Sequence, residues 1–468
     1  MGVDPVHSAA LIATEQLLPA RIQMALTLGI HIILVPFGVA FPAIALLAER
    51  RAHRRADAEA ALLARRWSKV MAVLFAVGAV TGTVLSFEMG LLWPGLMRRF
   101  GAVYGIPFAV EGIFFFTEAI FIAIYIYGWD RLSPRAHLWS GVPIVLAGIG
   151  GSASVIAANA WMNTPQGFRI AADGAVTDVR PLDAFFTPSF GYEFVHMLLA
   201  AYMIAGFLTA SVYAVGMLRG RTDRYHRLGF LLPFVVAAIA TPLQIVAGDF
   251  AARGVYHDQP VKFAAQELVL QTGTHVPETI GGVLWGGEVR YGLRVPNLAS
   301  ILAGFDPGTR IVGLRSVPAD DRPPATLVHL AFDVMVGIGF LLLGLVLWLA
   351  IAWWRHRDLP RSRWFLRAAQ LSGAAAIVAL EAGWIVTEVG RQPWIVYQVM
   401  RTSDAVTTSP GIWGSFAAIV AIYAALAVAA VAVLRAMARR WRTDADEGDV
   451  PYGPPRHPPA SGPGAGGP

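Results

Sequence analysis

The sequence predicts an all-α polytopic membrane protein with nine transmembrane helices, its N-terminus outside and its C-terminus inside. Three observations predict this fold class: the apolar composition, the recurrence of long apolar runs, and the placement of basic residues between those runs. Of the 468 residues, 56% are hydrophobic and 15% are charged. A soluble protein of this size carries about 25% charged residues, so the apolar excess indicates a membrane.

Nine apolar runs are long enough to cross roughly 30 Å of hydrocarbon. They are too long and continuous for the strands of a membrane barrel, so helices are predicted. The predicted spans are 23–47, 70–92, 105–127, 138–160, 191–217, 229–248, 326–353, 367–388 and 412–434.

Basic residues predict the orientation, because loops rich in Lys and Arg stay on the cytoplasmic side. Of the 37 Lys and Arg residues, 23 follow the first, third, fifth, seventh and ninth spans. Seven of the other 14 lie in one long segment, and long loops count little in this rule. The predicted divisions are helices 1–6 in 1–248, an external loop at 249–323, helices 7–9 in 324–438 and a disordered cytoplasmic tail, rich in Pro and Gly, at 439–468.

The composition also excludes several kinds of site and partner. The chain has no cysteine, which excludes disulfides, thiolate zinc sites, iron–sulfur clusters and covalently attached c-type haem. The formal net charge of +6 comes from short basic clusters between apolar runs. That pattern is a topology signal in a lipid bilayer, so no nucleic-acid partner is predicted.

Ionisable and metal-ligating side chains inside the spans are the candidate functional residues, because burying them in hydrocarbon is costly. For any one histidine, including His329, the alternative is a hydrogen-bonded packing residue. Independent packing residues have no reason to share one depth, whereas ligands of a cofactor layer do. At 1.5 Å per residue, five candidates fall roughly 8–14 Å below the outer surface: His31, Glu111, His196, Met335 and Glu381.

His, Met and Glu at one depth favour iron in a porphyrin. A His/Met pair is a common axial set for a low-spin electron-transfer haem, and a single ligand leaves a position open for oxygen. A copper site would need more histidines close together.

Other intramembrane carboxylates have different interpretations. Glu111 and Glu118 lie seven residues apart on one helical face and indicate a proton relay. The alternative is a pair of carboxylates held by polar groups of neighbouring helices. Glu88, near an outer helix end, is predicted to be structural, and Glu388 is predicted to be a hydrogen-bonded carboxylate close to the surface.

Six segments together resemble subunit I of a cytochrome bd-type quinol oxidase, in the family's order and spacing. They are "RIQMALTLGIHIILVPF", "VEGIFFFTEAIF…GWDRL", "GYEFVH", "QPVKFAAQE", "HLAFDVMVGIG" and "EAGWIVTEVGRQPW". The resemblance runs over nearly the whole chain, and the loop of about 75 residues is similar to the short form in the branch often called cyanide-insensitive oxidase. The family carries a low-spin haem b, a high-spin haem b and a haem d, or a b-type haem in its place.

The resemblance implies four haem-iron ligands. His196 and Met335 would ligate the low-spin haem. His31 and Glu381 would be the proximal ligands of the other two haems, with the haem assigned to each left open. Asp333 stands where many relatives carry arginine, which implies different electrostatics near the low-spin haem.

The resemblance also implies roles for charged residues around the haems. Arg21 resembles an arginine that pairs with haem propionates, and Arg391 is a second propionate or structural partner. Glu111 and Glu118 match carboxylates linked to proton delivery and the oxygen site.

In the external loop, the resemblance points to quinol oxidation. Lys262 and Glu267 match a Lys/Glu pair implicated in that reaction, and a carboxylate that accepts a proton suits quinol chemistry. The alternative for a surface Lys and Glu is an exposed salt bridge of little energetic value.

The function implied is that of a respiratory terminal oxidase in the bacterial cytoplasmic (inner) membrane. It would oxidise ubiquinol or menaquinol at the outer face and reduce O2 to water, generating a proton gradient without pumping. The resemblance implies a partner subunit II and leaves room for a small single-helix subunit. Two alternatives stay open: a haem b quinol dehydrogenase that does not reduce O2, and a proton-coupled membrane transporter.

Overall fold

The computed structural model describes the backbone of residues 5–360 and 362–441, and side chains from residue 15 onward in those ranges. Within them, nine helical stretches are long and apolar enough to cross a membrane. The predicted fold class, a polytopic all-helical membrane protein, is confirmed. The tail predicted to be disordered lies outside the described residues from 442 onward.

Long helices alternate along the chain with short helices and two- or three-residue strands. The first seven helices are α1 (Pro5–Val39), α2 (Phe41–Arg55), α3 (Ala58–Leu92), α4 (Pro94–Gly128), α5 (Pro134–Ser140), α6 (Val142–Asn163) and α7 (Pro181–Phe185). The later helices are α8 (Phe190–Leu218), α9 (Arg224–Asp258), α10 (Pro260–Gln266), α11 (Leu298–Gly304), α12 (Ala325–His356), α13 (Arg363–Gly390), α14 (Thr402–Ala405) and α15 (Ile412–Arg440). The short strands are β1 (Arg169–Ile170), β2 (Val176–Thr177), β3 (Glu278–Ile280), β4 (Val283–Trp285), β5 (Glu288–Arg290), β6 (Leu293–Val295), β7 (Trp394–Val396) and β8 (Met400–Arg401).

Helices α8, α9, α12 and α13 form the centre of the bundle. Helix α8 packs against α9 and α13, and α13 packs against α12. Their apolar side chains form one continuous core, in which Phe207, Phe234 and Phe365 are fully buried. Because α8 and α13 carry candidate ligands, this packed core sets the position of the functional residues.

The close approach of α8 and α9 depends on Gly206. A Cβ at this position would lie 2.6 Å from the backbone oxygen of Pro233 and 2.8 Å from the Cβ of Ala237. We expect Gly206→Ala to lower the free energy of unfolding by about 1–3 kcal/mol, because backbone atoms must move apart. The measurement is the thermal unfolding temperature of the purified complex in detergent.

Gly344→Ala on α12 is the matched control, since a Cβ there meets no atom within 4 Å. Alanine is the better helix former, so this variant should be at least as stable as the parent. Equal unfolding temperatures for the two variants would contradict the packing argument.

The segment between α9 and α12 folds as a compact cap on the ends of α12 and α13. Strand β3 pairs antiparallel with β6, and β4 pairs antiparallel with β5 between them. The backbone N–H of Gly281 donates to Asp333 Oδ2 at 2.5 Å, and that of Leu284 donates to Thr326 Oγ1 at 3.0 Å. These bonds attach the loop to the start of α12.

Helix α9 continues ten residues beyond the predicted end of its apolar span, to Asp258, so the first part of the segment predicted as an external loop is helical. The apolar run ends near 248, but the polar residues that follow still form helix. Arg253 is paired with Asp249 one turn away and lies over the ring of Phe305 at 4.2 Å. The helix ends before Pro260, since a residue preceding proline disfavours helical dihedrals.

Candidate functional site

Helices α1 and α13 bring His31 and Glu381 to one level of the bundle. A Cβ at Gly29 would lie 3.4 Å from Glu381 Oε2, so this carboxylate faces α1 two residues before His31. The His31 ring has its Nδ1 2.9 Å from Thr81 Oγ1 on α3. A hydrogen bond at one ring nitrogen is the usual way in which a metal-binding histidine is oriented.

Glu381 has an unmet bonding requirement. Its Oε1 is buried and has no hydrogen-bond partner among the described residues. Leaving a buried acceptor unsatisfied costs about 1–3 kcal/mol, and more when the group is charged. A proton or a metal ligated by this oxygen would remove that cost.

His196 and Met335 each face a glycine on a neighbouring helix. The side-chain nitrogen of Gln244 lies 3.1 Å from Nε2 and 3.3 Å from Nδ1 of His196. A Cβ at Gly248 would lie 3.3 Å from the His196 Cε1, and a Cβ at Gly383 would lie 3.0 Å from the Met335 sulfur. Glycine therefore keeps space beside each of these two side chains.

The glycine contacts relate three of the candidates to one another in depth. Met335 faces Gly383, which is two residues from Glu381, and Glu381 faces Gly29, which is two residues from His31. The structure thus places Met335, Glu381 and His31 within about one helical turn of one another in depth.

Glu118 lies deeper in the bundle than His31. It is buried, with 8% of its surface exposed, and its Oε1 has no hydrogen-bond partner in the described part of the chain. A Cβ at Gly38 would lie 3.4 Å from that oxygen, seven residues beyond His31 on α1, or about 10 Å along the helix. Glu111 is half-buried on the same face of α4. The two carboxylates are therefore about 10 Å apart along the helix.

Arg391 is one of the largest fully buried side chains, with 2% of its surface exposed. Its Nη1 donates to Asn163 Oδ1 at 3.1 Å, and its Nη2 donates to Glu388 Oε2 at 2.7 Å. The other oxygen of Glu388 accepts from Asn159 at 2.5 Å. Glu388 is therefore a hydrogen-bonded carboxylate, as predicted.

Arg21 reaches the same end of α13, where it donates to the side chain of Gln392. The Nε atoms of Arg21 and Arg391 are both buried and lack a partner among the residues described. Two guanidinium groups with unmet donors fit carboxylate groups such as porphyrin propionates.

Lys262 is buried, with 3% of its surface exposed. Its Nζ donates to the backbone oxygen of Thr387 at 3.2 Å. Burial lowers the pKa of Lys262 to about 8, although the nearby carboxylate of Glu193 opposes this shift. Lys262 can therefore exchange a proton near neutral pH.

A cavity of about 60 Å³ lies beside Lys262, between the loop and the end of α13. Its lining combines hydrogen-bonding groups with aromatic rings. The polar and aromatic side chains of the lining include those of Lys262, Asp321, Arg391, Gln392, Trp394 and Tyr397.

The structure does not bring Lys262 and Glu267 together as an ion pair. Lys262 interacts electrostatically with Glu193, whereas Glu267 interacts with Glu278 and Asp333. Glu267 is 4% exposed, so the interpretation of an exposed salt bridge is wrong for both residues.

Two polar residues in the spans have structural roles. Both ring nitrogens of His329 face backbone oxygens, at 2.6 Å from Gln266 and 2.8 Å from Gly281, so His329 attaches the loop to α12. Glu88 accepts hydrogen bonds from two side chains of α1. The structural interpretation of Glu88 is confirmed.

Sequence reasoning missed two buried carboxylates beside the site. Glu193 receives a hydrogen bond from Asn163 at 2.8 Å and interacts with Lys262. Its position three residues before His196 in "GYEFVH" was an available signal. Glu278 lies in the loop between turn residues, and no local pattern distinguishes it from a solvated glutamate.

The residues present fit haem groups. The donor types are His, Met and carboxylate, which are haem-iron ligands or plausible axial groups. Small residues face all four candidate ligands, and Glu381 Oε1 and the Nε atoms of Arg21 and Arg391 are buried without partners among the described residues, where they could bind the iron and the propionates of a haem. The four facing glycines are Gly29, Gly82, Gly248 and Gly383.

Comparisons with known proteins agree over almost the whole chain. The sequence profile of the family described as "Cytochrome bd terminal oxidase subunit I" matches residues 19–441. A Bacillus subtilis (strain 168) protein named as a cytochrome bd menaquinol oxidase subunit I is 37% identical over 442 residues, covering 92% of this chain and 98% of the relative. The cytochrome bd-II ubiquinol oxidase subunit 1 of Escherichia coli (strain K12) is 26% identical over 453 residues, covering 81% and 87%.

The fold comparison gives the same result. A chain in the structure of bd oxidase from Geobacillus thermodenitrificans aligns with a TM-score of 0.86 at 35% identity. The alignment covers 91% of this chain and 98% of the other.

Proposed function

The chain belongs to the cytochrome bd terminal oxidase subunit I family of quinol oxidases, and from this premise we propose that it carries the haems of a respiratory oxidase. The complex would oxidise quinol at the outer face of the bacterial cytoplasmic membrane and reduce O2 to water. The observation that supports this most strongly is the set of His, Met and Glu side chains, each facing a glycine, at neighbouring levels of the bundle.

Four residues would hold the haem irons. His196 and Met335 would ligate a low-spin haem b, while His31 and Glu381 would ligate a high-spin haem b and a haem d, or a b-type haem in its place. Bound there, the haems would supply one-electron transfer and the reduction of O2. Arg21 and Arg391 would bind propionates through their free Nε donors.

Glu388 is a second candidate for the carboxylate ligand on α13. Its two oxygens are oriented by Arg391 and Asn159, and ligating carboxylates are usually held by such hydrogen bonds. Glu381 instead offers an oxygen without a partner. The two residues lie seven positions apart on one face of α13.

Quinol would bind where the loop meets α13, beside Lys262, and Glu267 would take part in its oxidation. The protons of quinol would be released outside, and Glu118 and Glu111 would deliver protons taken from inside. This arrangement requires the N-terminus outside and the C-terminus inside, and it generates a proton gradient without a pumping cycle.

The working enzyme would be a complex in the lipid bilayer. Subunit II is the expected partner, and a small single-helix subunit would be an additional one. Relatives are named for menaquinol and for ubiquinol, and either quinol fits the proposed chemistry.

The test is the reduced-minus-oxidised absorbance of the purified complex, together with its quinol-dependent O2 uptake. We expect b-type bands, a long-wavelength chlorin band if haem d is present, and O2 uptake that requires quinol. Haem b bands without O2 uptake would indicate a quinol dehydrogenase. Absence of haem from a stable complex would indicate the alternative function, a proton-coupled membrane transporter.

A further inference from the structure

Glu267 and Glu278 form a buried pair of carboxyl groups in the external loop. Glu267 follows the last residue of α10, and Glu278 opens β3. Their exposed fractions are 4% and 8%, and their side chains are hydrogen-bonded to each other. Two carboxyl groups can share a hydrogen bond only if one of them carries a proton, because each carboxylate oxygen is an acceptor.

Among the described residues, neither glutamate forms a salt bridge with a Lys, Arg or His side chain. The Oε2 atoms of both glutamates are buried and have no hydrogen-bond partner within the described ranges. The titratable groups that interact with the pair come from α12: Asp333 interacts with both glutamates, and His329 interacts with Glu278. The Oε2 atoms of both glutamates are thus without partners beside the carboxylate of Asp333.

Burial is the main reason that the pKa of each glutamate is raised, and the charges of the partner glutamate and of Asp333 raise the pKa of Glu267 further. Two hydrogen-bonded carboxyl groups do not readily both ionise, because their negative charges repel each other. The two groups therefore titrate as one unit. With one shared proton, the unit has one unprotonated carboxylate.

The position of the pair links it to the proposed electron route. Asp333, which interacts with both glutamates, is two residues before Met335 on α12. The pair therefore lies beside the part of α12 that carries Met335, a proposed ligand of the low-spin haem.

We propose that Glu267 and Glu278 act together as the proton acceptor for quinol oxidation, with Glu267 holding the proton that they share and Glu278 carrying the unprotonated carboxylate. This inference rests on the proposed function and adds Glu278 to it. In each step a quinol O–H bond would break and its proton would bond to the unprotonated carboxylate, while an oxidised low-spin haem held by His196 and Met335 would accept the electron. The pair then releases a proton to external water, and two such steps complete one quinol.

Glu278→Gln tests the pair in the complete oxidase complex in membranes. Glutamine preserves the size and can donate to Glu267, but it cannot take up a proton. We expect quinol-dependent O2 uptake to fall on the order of 10²-fold in kcat, with KM little changed. The haem spectrum should stay as in the parent, because no proposed haem ligand is altered.

The pH profile separates proton acceptance from a structural role. The charge of Glu278 helps to raise the pKa of Glu267, so removing that charge lowers it. The acidic limb of the kcat profile reports protonation of the acceptor carboxylate, so Glu278→Gln, which removes that carboxylate, should displace or abolish this limb. Glu278→Asp, which keeps an ionisable carboxyl group, should retain most of the parental profile.

Glu288→Gln is the matched control, since Glu288 is an exposed glutamate in the same loop, and it should behave as the parent. Tetramethyl-p-phenylenediamine with ascorbate is a second control, because this donor gives an electron without needing a protein proton acceptor. Glu278→Gln should keep O2 uptake from this donor. Equal losses with both donors, or an unmoved acidic limb, would overturn the inference.

A readout without turnover separates this inference from the proposed function. Infrared absorption of the resting complex near neutral pH should contain a protonated-carboxyl band that both Glu267→Gln and Glu278→Gln remove. Persistence of that band in both variants would overturn the shared proton. Absence of quinol oxidation in the parent would instead refute the proposed function, while the infrared result still tests the pair.

Discussion

Alanine at His196 or at Met335 should abolish the low-spin b-type absorbance of the purified complex. A low-spin haem of this kind needs both axial ligands, so loss of either side chain leaves one coordination position open. Quinol-dependent O2 uptake should fall to background, because the electron route from the loop then lacks its first acceptor. The reduced-minus-oxidised spectrum and the haem content per complex are the measurements.

Met203→Ala is the control for packing effects. Met203 is a buried methionine on α8, and its truncation costs about 2–5 kcal/mol of stability without removing a proposed ligand. It should therefore lower thermal stability but retain the low-spin spectrum. If either His196→Ala or Met335→Ala kept the parental low-spin bands, the ligand assignment would be wrong.

Glu381→Gln should remove the signal of one of the two remaining haems while leaving the low-spin bands in place. Glutamine has the size of glutamate but is a poor iron ligand, so the expected effect is loss of one haem per complex and of O2 reduction. Haem extraction with quantification, combined with the difference spectrum, measures this effect.

Glu388→Gln is the comparison that decides between the two carboxylates on α13. If Glu381 is the ligand, Glu388→Gln weakens the bonds to Arg391 and Asn159 but retains three haems. Loss of a haem in Glu388→Gln, together with full haem content in Glu381→Gln, would move the iron ligand to Glu388. Both outcomes are read from the same two measurements.

The architecture was accessible from the sequence because the bilayer imposes a length and a polarity on every span. Nine apolar runs predicted nine helices, and the described residues contain nine such helices. The ends of the helices were harder to predict from the sequence. Helix α9 continues past its apolar run to Asp258 because its extension is stabilised by local pairs such as Asp249 with Arg253, which a hydropathy pattern does not contain.

The choice of candidate ligands was also accessible, because a fixed rise per residue converts sequence position into depth. His31, Glu381 and Met335 lie at neighbouring levels in the structure. The glycines that face them were not predicted. Gly29 and Glu381 are far apart in the chain, and their proximity results from the packing of α1 on α13.

The sequence by itself determined the membrane class, the spans and the set of side chains that could serve as ligands or proton carriers. Only the tertiary structure decided which of them face one another. Lys262 and Glu267 are five residues apart, yet Lys262 interacts with Glu193 on α8, whereas Glu267 pairs with Glu278 from the next part of the loop. Burial against different partners, rather than spacing along the chain, determines the charge that each group carries.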